Sequence, residues 1–129
     1  MTQYVSGRED VMSESFKYVY VIQHNKTGRA YIGCSQHIQG RYQKHIEKLR
    51  NRSHKSEQMQ KDFDDYGEDF SVHELERIID AHIQIKGETY YLPMLEELKW
   101  MRRFDSVENG YNRQDRMAKR MLELERDKL

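Results

Sequence analysis

Residues 16–33 of this 129-residue chain are FKYVYVIQHNKTGRAYIG. The run 16–23 is β-branched and aromatic, which is typical of a strand, and its alternation puts Tyr18, Tyr20 and Ile22 on one face and Val19 and Val21 on the other. The polar run that follows contains Gly28, which can adopt the positive φ of a tight turn. A second short strand at 29–33 then completes a predicted β-hairpin.

Beyond the hairpin, apolar residues recur at helical spacing and predict an amphipathic helix over 36–50. Its buried stripe consists of Ile38, Tyr42, Ile46 and Leu49. Arg41 and His45 fall on a different face, one turn apart. After a polar loop, Ser56 is placed to cap a short helix that ends near Gly67.

The second half of the chain contains a third strand and further helices. Residues 70–79 alternate loosely and predict the strand, whereas 81–87 are ambiguous. Residues 88–104 have the apolar spacing of a helix that Pro93 either interrupts or starts. A turn at 109–112 precedes a last amphipathic helix over 113–128. Its stripe of Met117, Met121 and Leu124 predicts either packing on the same domain or a seam between two copies of the chain.

These elements predict one domain at 16–112, preceded by a mobile tail at 1–15 and followed by a C-terminal helix at 113–129. The single cysteine, Cys34, excludes an internal disulfide and favours a reducing compartment. The sequence contains no long apolar run and no leader-like N-terminus. We therefore expect a cytoplasmic protein, in a bacterial or phage-infected cell.

Charge is distributed unevenly although the net charge is zero. Residues 37–61 carry seven Lys/Arg and two Asp/Glu, a balance of +5, whereas 62–97 carry two and eleven, a balance of −9. Residues 98–129 carry nine and six, a balance of +3. Such asymmetry indicates either solvated helix faces or a basic surface for nucleic acid.

A series of aromatic and polar residues runs through the chain at a characteristic spacing. In order it comprises Tyr20, Tyr31-Ile32-Gly33, Arg41, His45, His54, Glu97, Trp100 and Gly110-Tyr111-Asn112. This series resembles the GIY-YIG nuclease family, and most of all the catalytic domain of phage intron-encoded homing endonucleases. The resemblance runs from about Tyr18 to Asn112 and joins two distant regions. Tyr18 stands where the first motif of the family usually has glycine.

The resemblance implies an α+β fold, with a small three-stranded antiparallel sheet flanked by helices. It also implies a metal-dependent DNA endonuclease in which Glu97 binds a single Mg²⁺ or Mn²⁺ ion. Arg41 would clamp a phosphate oxygen, for which its planar fork is suited. Tyr20 would orient or deprotonate the attacking water, and as a base it would need a nearby cation to lower its pKa. Tyr31 would hydrogen-bond in the same network.

The remaining assignments concern the surroundings of this centre. His45 would bind phosphate or shuttle a proton. Gly33 and Asn112 would be structural. Contacts to double-stranded DNA would come from Lys44, Lys48, Arg52, His54 and Lys55. Phosphate contacts of this kind give salt-sensitive binding with little sequence content, so we expect modest intrinsic specificity.

Several alternatives remain at this point. Glu96 is the neighbour most easily confused with Glu97. The acidic run 62–67 has the wrong residues for a calcium loop, and Cys34 is a weak candidate nucleophile. Other functions compatible with the sequence are a non-catalytic DNA- or protein-binding module and a structure-selective repair nuclease subunit. The chain extends seventeen residues past Asn112, as expected either for a free-standing phage or mobile-element nuclease or for an excised catalytic domain.

Overall fold

The structure is a computed structural model that describes residues 15–113. The predicted tail and the predicted C-terminal helix with its dimer seam lie outside the described residues, apart from Ser15 and Arg113. The helices and strands, in chain order, are β1 (Phe16–His24), β2 (Ala30–Ser35), α1 (Ile38–Arg50), α2 (Glu57–Tyr66), β3 (Phe70–Ile79), β4 (His82–Ile85), β5 (Glu88–Tyr91) and α3 (Leu92–Arg103).

The main sheet is antiparallel and three-stranded, in the order β2-β1-β3, which confirms the expected α+β fold. Gly28 adopts φ 77° in the turn between β1 and β2. The register of this hairpin sets Tyr20 opposite Gly33 and Ile22 opposite Tyr31. All four residues therefore lie on the same face of the sheet.

Helices cover both faces of the sheet, as the alternation in β1 predicts. Val19 and Val21 belong to a core that also contains Leu98 and Met101 of α3. Tyr20 and Ile22 belong to a second core, to which α1 and α2 contribute buried residues. Those residues are Ile46, Leu49 and Met59. Helices α1 and α3 therefore pack on opposite faces of the sheet, and both lie beside the free edge of β2.

The predicted helix boundaries hold for α2 and need one correction at α3. Ser56 Oγ accepts the Met59 N–H at 3.1 Å, and Gly67 ends α2 with φ 89°. Residues 88–91, predicted as helix, form β5, which pairs with β4 in a separate ribbon. Helix α3 begins at Leu92 with Pro93 in its first turn, where proline is tolerated because the backbone N–H that it lacks would have no intrahelical partner.

Among residues 15–113, none of the helices has the length and apolar character that a membrane span requires.

Candidate active site

A cleft of about 650 Å³ lies along the edge of β2, between α1 and α3. Its lining includes most of the residues that the sequence singled out. They are Tyr31, Arg41, Lys44, His45, Lys48, His54, Lys55, Glu97 and Asn112. Strand, helix and loop residues that are far apart in sequence therefore meet at one cleft.

Tyr20 lies beneath this cleft and is 2% exposed. Its phenol occupies the space above Gly33, where any Cβ would collide with the ring and its hydroxyl. The ring centroid lies 6.3 Å from that of Tyr31. Glycine is therefore needed at position 33 to accommodate the Tyr20 hydroxyl beside β2.

The charges of the cleft act on both tyrosines. Burial raises the pKa of Tyr20 well above its ordinary value, and the neighbouring Tyr31 raises it further. Arg41 acts in the opposite direction and Glu97 opposes Arg41, so both side chains lie within electrostatic reach of the phenol. The pKa of Tyr31 is likewise raised, by burial first and then by Glu97, against Arg41. Arg41 thus lowers the pKa of both tyrosines, as expected. Burial raises the pKa by more, so both phenols stay protonated at neutral pH.

Glu97 and Glu96 occupy different surfaces of α3. Glu97 lines the cleft and is the sole acidic residue among its described lining residues. Glu96 forms an ion pair with Lys99 at 3.0 Å and lies beside Trp100 in a separate pocket. Glu96 and Glu97, which the sequence alone does not separate, therefore lie at two different places on α3, and Glu97 is the one that lines the cleft.

His45 and His54 form a hydrogen-bonded pair in the wall of the cleft. Nδ1 of His45 lies 2.8 Å from Nε2 of His54, and the rings stack with centroids 5.0 Å apart. The Tyr31 ring packs against His45 at 4.5 Å. Burial, followed by His54, Lys48 and Arg41, lowers the pKa of His45 to about 4. His45 is therefore neutral at physiological pH.

The predicted DNA contacts divide into two groups. Lys44, Lys48 and Lys55 line the cleft together with His54. Arg52 does not line it, because its guanidinium pairs with Asp64 of α2 at 3.0 Å. Arg113 adds a further cation to the lining.

The segment after α3 closes the cleft along β2. Asn112 Oδ1 accepts the Ile32 N–H at 2.8 Å, and its Nδ2 donates to the Ile32 carbonyl at 2.9 Å. The Tyr111 N–H donates to the Ala30 carbonyl at 2.9 Å. A Cβ at Gly110 would lie 2.6 Å from that same carbonyl oxygen. The close approach therefore requires glycine at position 110.

A buried carboxylate that the sequence analysis missed supports this arrangement. Asp62 is 2% exposed and accepts hydrogen bonds from Tyr111 Oη at 2.6 Å, from Arg29 at 2.9 Å and from Gln58 at 3.1 Å. Burial alone would raise the pKa of Asp62, but these hydrogen bonds outweigh it and lower the pKa. Asp62 thus ties the β1–β2 turn to α2 and to Tyr111, which lines the cleft.

Comparison with known proteins identifies the family. The family model described as the GIY-YIG catalytic domain matches residues 16–120. The chain belongs to the GIY-YIG family. It carries a GIY-YIG nuclease domain.

Solved structures agree with this assignment. The catalytic domain of homing endonuclease I-TevI matches with a TM-score of 0.62 and 25% identity, covering 77% of this chain and 99% of that one. A mutant of the same domain, described as that of intron endonuclease I-TevI, matches with a TM-score of 0.63 and 24% identity, over 76% and 93% of the two chains. None of the curated proteins matches the chain in sequence.

GIY-YIG nucleases are in general metal-dependent, and a hard divalent cation such as Mg²⁺ requires oxygen donors. Among residues 15–113, no three His, Cys, Asp or Glu side chains are grouped as an all-protein metal cage requires. The Glu97 carboxylate nevertheless offers a hard oxygen donor within electrostatic reach of two phenols. Mg²⁺ is commonly held by one or two carboxylates together with water and phosphate oxygens. The residues present therefore fit Mg²⁺ with Glu97 as its protein ligand.

Proposed function

We propose that this chain is a metal-dependent DNA endonuclease that hydrolyses phosphodiester bonds in the cleft between α1 and α3. The observation that carries the proposal is one acidic residue, Glu97, in a cleft whose lining also contains five cationic side chains, Arg41, Lys44, Lys48, Lys55 and Arg113. A backbone phosphate needs cations to hold it and a hard anion to hold a divalent ion. Both requirements are met within one cavity of suitable size.

Phosphate binding is assigned to α1 and the loop after it. Arg41 presents an exposed guanidinium at the cleft, where it is suited to bidentate contact with a phosphate. Lys44, Lys48 and Lys55 extend the same positive surface along the cleft. These cations recognise the backbone rather than the bases, so we expect modest sequence preference and strong salt dependence.

Tyr31 is assigned to the attacking water. When bound, Mg²⁺ would polarise the phosphate and lower the pKa of a water molecule that it binds. The Tyr31 phenol lines the cleft and holds the water by a hydrogen bond, because it keeps its proton at neutral pH. Tyr20 lies buried beside the Tyr31 ring. The water oxygen attacks phosphorus, the opposite P–O bond breaks, and the proton that the water gives up passes through solvent to the leaving oxygen.

Cleavage of supercoiled plasmid tests this function. Wild-type chain, Glu97→Gln and Glu96→Gln are each incubated with Mg²⁺, with Mn²⁺ and with EDTA. We expect nicked or linear product from wild type and from Glu96→Gln with either metal, and none with EDTA. Glu97→Gln should lose activity by at least a hundredfold, which is about 2.7 kcal/mol of transition-state stabilisation.

Two outcomes would contradict the proposal. If Glu96→Gln is inactive and Glu97→Gln cuts, the metal ligand is Glu96. If no variant cuts but all shift DNA in a gel at low salt, the domain is a binding module that retains the nuclease fold.

A further inference from the structure

The histidine pair continues into the backbone of the loop before α2. The Ser56 N–H donates to Nδ1 of His54 at 3.0 Å. Nε2 of the same ring lies 2.8 Å from Nδ1 of His45. The order of atoms is therefore Ser56 N–H, His54 Nδ1, His54 Nε2 and His45 Nδ1.

This order determines where the protons lie. A backbone N–H can only donate, so Nδ1 of His54 must be unprotonated. A neutral imidazole then carries its proton on Nε2, which makes His54 the donor towards His45. Nδ1 of His45 accepts that hydrogen bond, and the proton of His45 must be on its own Nε2.

The elements around the pair hold this arrangement in place. Ser56 is the N-cap of α2, with its Oγ accepting the Met59 N–H, so the amide that starts the series is fixed by a helix. Burial and then Lys48 lower the pKa of His54. The charged groups that act on the two rings are Lys48 and, for His45, also Arg41. All of them favour the neutral forms that the hydrogen bonds require.

We propose that His54 is a positioning residue that fixes the proton of His45 on Nε2, so that His45 presents an N–H donor to a phosphate oxygen in the cleft. The assignment of the phosphate rests on the proposed nuclease function, whereas the tautomer does not. The proposal departs from the expectation that His54 contacts DNA. It also assigns His45 a donor role in place of a proton shuttle, because its acceptor nitrogen is already occupied by His54.

The tautomer is measured first, without DNA or metal. Long-range ¹H–¹⁵N spectra of the imidazole rings are recorded at pH 7 for the full chain, for His54→Gln and for His54→Phe. Wild-type His45 should show a protonated Nε2 and an unprotonated Nδ1. His54→Gln can retain an amide donor near the position of Nε2 and should preserve this state. His54→Phe retains a ring but no donor, and His45 should become a mixture of tautomers.

Steady-state cleavage then separates positioning from DNA contact. His54→Phe should lower kcat by about two- to fivefold, because only part of the His45 population then presents the Nε2–H, with KM and its salt dependence unchanged. His54→Gln should recover most of kcat. Thermal melting of each variant shows whether it is folded.

Three results would overturn the proposal, and a fourth would separate it from the nuclease function. A wild-type His45 protonated on Nδ1, or a His45 tautomer unchanged in folded His54→Phe, overturns it. A rise in KM with a changed salt slope in His54→Phe also overturns it, because that result identifies a DNA contact. If wild type does not cleave but the tautomers behave as expected, the nuclease function fails and the positioning of His45 by His54 is supported.

Discussion

The side-chain amide of Asn112 bonds to both backbone groups of Ile32, accepting from its N–H at 2.8 Å and donating to its carbonyl at 2.9 Å. Since β2 is an edge strand, these backbone groups would otherwise lack a partner on that side. Ile32 is fully buried, so its unpaired amide would be costly. Asn112 thus extends the sheet with a side chain and fixes the wall of the cleft.

Asn112→Ala should reduce the free energy of unfolding by about 1–3 kcal/mol, the cost of leaving buried polar groups without partners. Urea denaturation measures the change. Asn109→Ala is the matched control, because Asn109 is exposed in the same loop and its loss should cost less than about 0.5 kcal/mol. Equal midpoints for the two variants would show that the pairing with Ile32 contributes little.

Gly33 and Gly40 should respond to alanine with opposite signs. A Cβ at Gly33 would overlap the Tyr20 phenol, so Gly33→Ala should cost about 1–3 kcal/mol and displace the Tyr20 hydroxyl from its position beside β2. A Cβ at Gly40 of α1 would have its nearest contact at 3.9 Å, so Gly40→Ala should stabilise by about 0.5–1 kcal/mol. Thermal melting and plasmid cleavage report the two effects. A Gly33→Ala variant with wild-type stability and activity would refute the steric role of this glycine.

The features that sequence predicted are those set by local patterns. The alternation in β1, the turn at Gly28 and the N-cap at Ser56 each depend on residues within one element, and all three are present. The ribbon of β4 and β5 was missed because its strands are short and partly exposed. The apolar spacing of α3 continues towards the N-terminus into β5. The sequence pattern therefore predicts one helix over both elements.

Long-range contacts explain what the sequence did not predict at the site. Asp62 stands in an acidic run that indicates a solvated helix end, yet it is buried by Arg29 and Tyr111, which are 33 and 49 residues away. Arg52 belongs to the basic stretch, but it turns towards Asp64. The spacing of residues in the sequence also does not show which ring nitrogen of His54 accepts a hydrogen bond from a backbone amide. These facts depend on tertiary packing, for which no local pattern exists.

The lowered pKa of His45 predicts how stability depends on pH. Its pKa is about 4 in the folded chain and about 6.5 in the unfolded chain, so the unfolded state binds more protons between these values. Stability should therefore be complete above about pH 6.5 and decline towards pH 4, by up to about 3 kcal/mol from this group. Urea titrations at several pH values measure the slope.

The contribution of His45 to that slope is isolated by substitution. His45→Gln should make the decline between pH 6.5 and 4 shallower, because one of the two histidines with a lowered pKa is gone. His73→Gln, an exposed change on β3, is the matched control and should retain the wild-type slope. If both variants decline as the wild type does, the acid sensitivity arises from other groups.

The lysines of the chain should differ in their effect on DNA binding according to whether they line the cleft. Lys48 lines it, whereas Lys61 lies on α2 and pairs with Asp65 at 2.6 Å. A lysine that neutralises one DNA phosphate contributes about 0.9 to the slope of log K against log salt. Lys48→Ala should reduce the slope by that amount, and Lys61→Ala should leave it unchanged. Fluorescence anisotropy with EDTA present measures both, since cleavage is then prevented. Equal slopes for Lys48→Ala and wild type would place the DNA outside this cleft, because exposed charges more than about 10 Å from the phosphates are screened at 0.1 M salt.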